Sequence, residues 1–272
     1  MLTASPTSRP RRPALSALLA LLATTSVPGA NTPAPIDRDQ ALSASQAALG
    51  RPLGEYGLID QSGRPLSLSS LRGRPYLISF VYTSCAFACP TLTSRLDKVT
   101  KVARAALGAN SFSIVTVGFD AGVDTVERMR RFARERGIDQ PSWYFAASDP
   151  AGIERLAADT GFVFAPLAGG YDHVAQVTIV DPAGRVYAQV YGDDFEPTAI
   201  VEPLKTLLLG ATPAPAPAGG WLNTVRLLCT VYDPKSGRYR FDYSLILEIV
   251  IGIMCTLAIS IFVVRAWNQT RA

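Results

Sequence analysis

Residues 76–83 form a β-type run that ends two residues before a pair of thiols. The chain there reads Phe80-Val81-Tyr82-Thr83-Ser84-Cys85-Ala86-Phe87-Ala88-Cys89-Pro90. A helical pattern opens at Pro90, so Cys85 and Cys89 sit where a buried strand hands over to a helix. Thiols at a helix mouth meet unpaired N–H groups and the positive end of the helix dipole, and both favour thiolate. The spacing is Cys-x-x-x-Cys, one residue longer than the redox-tuned Cys-x-x-Cys pair. Across the first turn it can bring two sulfurs onto one soft metal ion, and it does not forbid a disulfide. The choice is between a metal site and a redox pair.

The flanking patterns define the scaffold. Residues 55–60 and 65–68 read as two short strands around a turn at Gln61-Ser62-Gly63-Arg64. After Pro90, apolar Leu92, Leu96, Val99, Ala103 and Leu107 recur at three- and four-residue steps, predicting a helix that stops at Gly108. Residues 111–118 form a β-type run. Asp124 is expected to cap a helix with Val126, Met129, Phe132 and Ala133 on one side, ending at Gly137. Residues 143–147 predict a short strand, and Asp149-Pro150 opens a helix that ends at Gly161. A β-hairpin is expected from residues 173–181 and 185–191 around Pro182-Ala183-Gly184, with His173 opening its first strand. A helix over residues 196–209 closes the unit. This order predicts an α/β, thioredoxin-like sandwich with a mixed central sheet.

The two ends place that unit. Arg9, Arg11 and Arg12, an apolar stretch over residues 14–23 and small residues up to Ala30 follow the order of a signal peptide, residues 1–30. Residues 31–54 read as a loose lead-in, 55–210 as the globular domain and 211–220 as a semi-rigid Pro/Ala linker. Residues 221–243 read as a juxtamembrane segment. Residues 245–264 are apolar for about twenty positions, enough to span a bilayer as one C-terminal transmembrane helix. Residues 265–272 would be a cytoplasmic tail carrying Arg265 and Arg271, with Trp267 at the interface. The expected location is a bacterial cell membrane, with the domain in the periplasm. The net charge of +4 is modest. Arg128, Arg130, Arg131, Arg134 and Arg136 read as a solvated helix face, and no aromatic-interleaved basic stripe points to nucleic acid.

His173 is the single histidine of the chain, which removes every constellation needing two. In a thioredoxin-like sheet the loop at the start of its strand passes beside the helix-mouth cysteines. Two thiolates and one imidazole make a soft-to-borderline, three-coordinate set that suits copper, while zinc would want a fourth ligand. Asp172 could support a metal-bound imidazole as an outer carboxylate, or serve only as a turn residue. Cys255 lies in the apolar run and reads as a filler, and Cys229 as a free or interchain thiol.

Tyr82 to Pro90 as quoted above, Asp120-Ala121-Gly122-Val123-Asp124-Thr125, and Asp172-His173 followed by Asp181-Pro182-Ala183-Gly184 together resemble the Sco/SenC family. The resemblance covers about residues 55–210. It implies a membrane-anchored, thioredoxin-fold copper chaperone for cytochrome oxidase assembly, with Cys85, Cys89 and His173 as copper ligands. Its implied partner is a copper-containing subunit of a terminal oxidase. This sequence departs from the family pattern at Ala86 and Ala121, where the family usually has proline, and in carrying its anchor at the C-terminus.

Two functions compete. A copper-delivery protein passes its ion on by ligand exchange and needs Cys85 and Cys89 reduced, so a thiol-reductant partner and a redox-active Cys85–Cys89 disulfide fit it. A thiol–disulfide oxidoreductase would instead reduce a partner's copper-site cysteines. The spacing favours the metallochaperone over the enzyme. A peroxidase fits less well, because Thr83 lies two residues before Cys85 where that chemistry's pattern needs three.

Overall fold

The computed structural model describes residues 35–210, two later strands and a C-terminal helix. The expected signal peptide, the Pro/Ala linker, Cys229 and the last residues of the expected tail lie outside the described residues. In chain order the elements are α1 (Arg38–Ala47), β1 (Leu58–Ile59), β2 (Pro65–Leu66), β3 (Tyr76–Val81), α2 (Ala88–Leu107), β4 (Ser113–Gly118), α3 (Val126–Glu135), β5 (Trp143–Ala146) and α4 (Pro150–Thr160). Then come β6 (Phe164–Leu167), β7 (Gly170–His173), β8 (Gln176–Val180), β9 (Val186–Tyr191), α5 (Thr198–Gly210), β10 (Thr230–Asp233), β11 (Arg238–Phe241) and α6 (Ser244–Gln269).

The central sheet has the order β5-β4-β3-β8-β9. β3 runs parallel to β4, and β4 to β5, while β8 is antiparallel to both β3 and β9. The sheet is therefore mixed, as the element order predicts. Every residue of β3 is buried, because both faces of the sheet are covered. Its alternation divides the core. Leu77 and Val81 face Leu92, Leu96 and Val99 of α2 and Leu204 of α5, whereas Ile78 and Phe80 face Ile153 and Leu156 of α4.

Local chemistry explains the boundaries. The stripe read from Leu92 to Leu107 is the buried face of α2, and Gly108, at φ 109°, ends the helix. In α4 the Asp149 side chain accepts from the Gly152 N–H, Pro150 occupies the first turn, and Gly161 closes the helix in the left-handed region at φ 67°. α3 is capped by Thr125, whose hydroxyl accepts from the Arg128 N–H, and not by Asp124. Arg128, Arg130, Arg131 and Arg134 are exposed, as a solvated face requires.

Three stretches depart from the sequence reading. The lead-in contains α1, capped by Asp37, whose carboxylate accepts from the N–H groups of Asp39 and Gln40. His173 does not open the long hairpin. It ends β7, which pairs with β6 in a separate two-stranded ribbon, with His173 opposite Phe164. Part of the expected juxtamembrane segment is also strand, β10 paired antiparallel with β11. Among the described residues no helix is long and apolar enough to cross a membrane, so the span expected over residues 245–264 rests on the sequence.

Candidate functional site

β3 ends at Val81, and a tight turn follows in which the Cys85 N–H donates to the Tyr82 carbonyl at 3.0 Å. Cys85 is half-buried. Cys89, in the first turn of α2, is only 1% exposed. The residue at the cap position of α2, Phe87, supplies no side-chain acceptor. The Cys85 sulfur fills that gap, accepting from the Cys89 N–H at 3.4 Å. Between the cysteines, Phe87 stands 77% exposed.

The two thiols are made unequal by this placement. Burial pushes the Cys85 thiol up, but the N–H groups of Cys89 and Phe87 and the hydroxyl of Tyr82 outweigh it and hold the group below its ordinary 9.0. Burial drives Cys89 the other way, to about 12, with the neighbouring Cys85 sulfur adding to the rise. Cys85 is the more acidic of the two, and burial keeps Cys89 protonated at neutral pH. Both cysteines are free thiols.

Tyr82 ties this loop to the ribbon of His173. Its ring meets the Tyr171 ring edge-on at 5.4 Å, and burial pushes the pKa of its hydroxyl up to about 12, with the Cys85 sulfur adding to the rise. A Cβ on Gly170 would lie 3.0 Å from that hydroxyl, so glycine lets β7 come this close. The Tyr82 ring meets the His173 ring edge-on at 6.1 Å. Phe119 and Phe162 enclose the imidazole further, at 5.4 and 5.6 Å. Burial lowers the His173 pKa from 6.5 and leaves the ring neutral at pH 7, the form that can bind a metal. Its Nδ1 lies 3.3 Å from the Val174 carbonyl.

The structure thus brings Cys85 and Cys89 together and places His173 behind Tyr82. Among the described residues no three His, Cys, Asp or Glu side chains are gathered closely enough to hold a metal ion. Asp172 does not hydrogen-bond the imidazole. Its carboxylate takes the Arg38 guanidinium at 2.6 Å and the Ile36 N–H at 3.0 Å. The donor types still fit a soft ion, with two sulfurs on adjoining positions of one turn and a neutral imidazole on a neighbouring ribbon.

Asp124 has a role that the expected cap concealed. It is buried, and its carboxylate accepts from the Thr83 N–H at 2.8 Å, the Thr83 hydroxyl at 2.6 Å and the Asp120 N–H at 3.0 Å. It pins the residues before Cys85 to the loop after β4. Burial raises its carboxyl above the usual range despite these bonds. Tyr82 and Asp124 both fall in motifs that the sequence singles out, but Arg38 stands in a segment with no motif at all.

The family model described as SCO1/SenC matches residues 45–209. The chain belongs to the SCO1/SenC family. Among individual relatives, a SCO1 protein homolog of Bacillus subtilis is 25% identical over 144 residues, covering 51% of this chain and 72% of that one. A Stutzerimonas stutzeri protein named for copper binding is 23% identical over 168 residues, covering 57% and 78%. The crystal structure of a SCO1/SenC family lipoprotein from Bacillus anthracis covers 58% of this chain and 96% of its own at a TM-score of 0.53 and 22% identity. That likeness concerns the fold, which is thioredoxin-like with a mixed sheet.

Proposed function

We propose that this chain is a membrane-anchored copper chaperone that delivers copper to a respiratory cytochrome oxidase during assembly. Copper is its cargo, taken by Cys85, Cys89 and His173. The observation that carries this reading is the pairing of two sulfurs at the mouth of α2 with a neutral imidazole on the ribbon that packs against Tyr82 of the same loop. Thiolates bind copper, so uptake displaces the proton that burial keeps on Cys89. Family membership and a relative named for copper binding support the cargo.

Anchoring by residues 245–264 and a periplasmic domain complete the proposal. The N-terminal signal pattern supports export. Exposed Leu247, Ile251, Met254 and Ile261 on α6 supply apolar surface that a bilayer would cover.

The unequal thiols favour a second reading, thiol–disulfide exchange: Cys85 would attack a partner disulfide and Cys89 resolve the mixed disulfide. His173 separates the two. A copper site needs the imidazole, whereas a thiolate attack does not. Oxidase activity in membranes of cells carrying His173→Ala should fall nearly as far as with Cys85→Ser, and added copper should restore it in part by mass action. Wild-type activity for His173→Ala, with both cysteine variants inactive, would replace copper delivery with the reductase.

A further inference from the structure

The ribbon β6–β7 lies outside the five-stranded sheet, so backbone pairing with that sheet does not fix where His173 stands. Two sets of contacts do. On the thiol side Tyr82 and Phe119 pack edge-on against Tyr171 and His173. On the opposite side the segment entering α1 grips the next two residues. The Arg38 guanidinium spans them, one nitrogen 2.6 Å from Asp172 Oδ1 and another 2.9 Å from the His173 carbonyl, while the Ile36 N–H donates to Asp172 Oδ2 at 3.0 Å.

We propose that residues 36–38 form a latch on the His173 ribbon, with Arg38 as the positioning residue that sets the reach of the imidazole toward Cys85 and Cys89. The inference rests on the reading that His173 takes copper. It goes beyond that reading by giving the segment ahead of the domain a part in the site.

Docking of α1 does not itself call for these bonds. Ala41 and Ser45 bury the inner face of the helix, and Ser45 and Gln46 both bond the Tyr191 hydroxyl. Arg38 is spare for that purpose, and its side chain is 60% exposed. Its geometry is nonetheless specific. A fork of guanidinium nitrogens can hold a carboxylate and a carbonyl at once, whereas an ammonium acts from a single point. An exposed latch is also releasable, because its ion pair is screened by salt.

The test uses the full-length chain purified in detergent with its thiols reduced, as wild type, Arg38→Ala, Arg38→Lys and His173→Ala. The first readout needs no copper: backbone amide exchange at residues 170–174. Arg38→Ala should speed exchange there roughly tenfold while Cys85 alkylation keeps its rate. The second readout is Cu(I) affinity by chelator competition, together with the Cu(II)–thiolate absorption band. Arg38→Ala should weaken binding about five- to tenfold and shift the band, with Arg38→Lys in between. Wild-type exchange and wild-type affinity in Arg38→Ala, beside weakened binding in His173→Ala, would overturn the latch. Wild-type affinity in His173→Ala would instead overturn the copper assignment beneath it, and the exchange data would show which of the two had failed.

Discussion

Asp124→Asn keeps the shape of the side chain and changes only what it can accept. The carboxylate takes three hydrogen bonds, two from Thr83 on Oδ1 and one from the Asp120 N–H on Oδ2. An amide offers a single acceptor oxygen. Turned toward Thr83, it sets its NH2 against the Asp120 N–H, donor against donor; turned the other way, it abandons both Thr83 donors. The first orientation loses less. One unsatisfied buried donor costs about 1–3 kcal/mol, and exchanging charged acceptors for neutral ones costs about 1 kcal/mol more. Burial disfavours the carboxylate, as its raised pKa shows, and returns part of this. The net expected loss is roughly 1–3 kcal/mol. Urea denaturation of the reduced protein should show a lower midpoint at an unchanged slope. Thr83→Val should couple to Asp124→Asn in a double-mutant cycle by at least about 0.5 kcal/mol, since the two residues share a bond. The rate of Cys85 alkylation should change as well, because Thr83 anchors its turn. Stability within about 0.5 kcal/mol of wild type, with no coupling, would refute the claim that this carboxylate braces the thiol loop.

Other consequences follow from the same geometry. Copper affinity should rise about tenfold per pH unit between the lowered value of Cys85 and the Cys89 value of about 12, because binding there releases one proton, from Cys89. Below the Cys85 value the slope should steepen toward two protons, and a pH-independent affinity measured by competition would contradict the thiol assignment. Gly118→Ala should destabilise the protein by about 1–3 kcal/mol, since overpacking is resisted. The added Cβ would lie 2.5 Å from the Asp124 Cβ and 2.8 Å from the Met129 sulfur, and an unchanged melting temperature would show that these two side chains yield freely. Asp60 is held below its ordinary 3.8: burial opposes the shift, but hydrogen bonds from Ser62 and the Arg64 N–H outweigh it. A lowered folded value gives stability that is present above the unfolded value and lost as pH falls through the folded one. Asp60→Asn should therefore remove part of the acid sensitivity below about pH 4, and identical acid titrations of the two proteins would exclude it.

The elements that the sequence displays most clearly are those fixed by local chemistry. The stripe of α2 and the Asp149-Pro150…Gly161 frame of α4 depend on residues within one helix, and both appear where periodicity and capping place them. α1 escapes the same reasoning because Ala, Ser and Gln give it little apolar contrast, with only Ala41 and Ser45 buried. Asp37 was nonetheless a readable cap signal. The ribbon β6–β7 had a signal too, since Gly169-Gly170 stands between two aromatic-bearing runs. Reading His173 into the next strand concealed it. Asp124 and Thr125 are adjacent and both suit a cap, and only the burial of Asp124 separates their roles. The bond of Arg38 to Asp172 joins residues 134 apart, and no local pattern encodes it.

The most direct test of the central claim is copper binding by the purified, reduced protein and three variants. Wild type should bind one copper ion per chain. Cys85→Ser and Cys89→Ser should abolish tight binding, and His173→Ala should weaken it and alter the Cu(II)–thiolate charge-transfer band. Unchanged affinity after the loss of Cys89 would contradict the account.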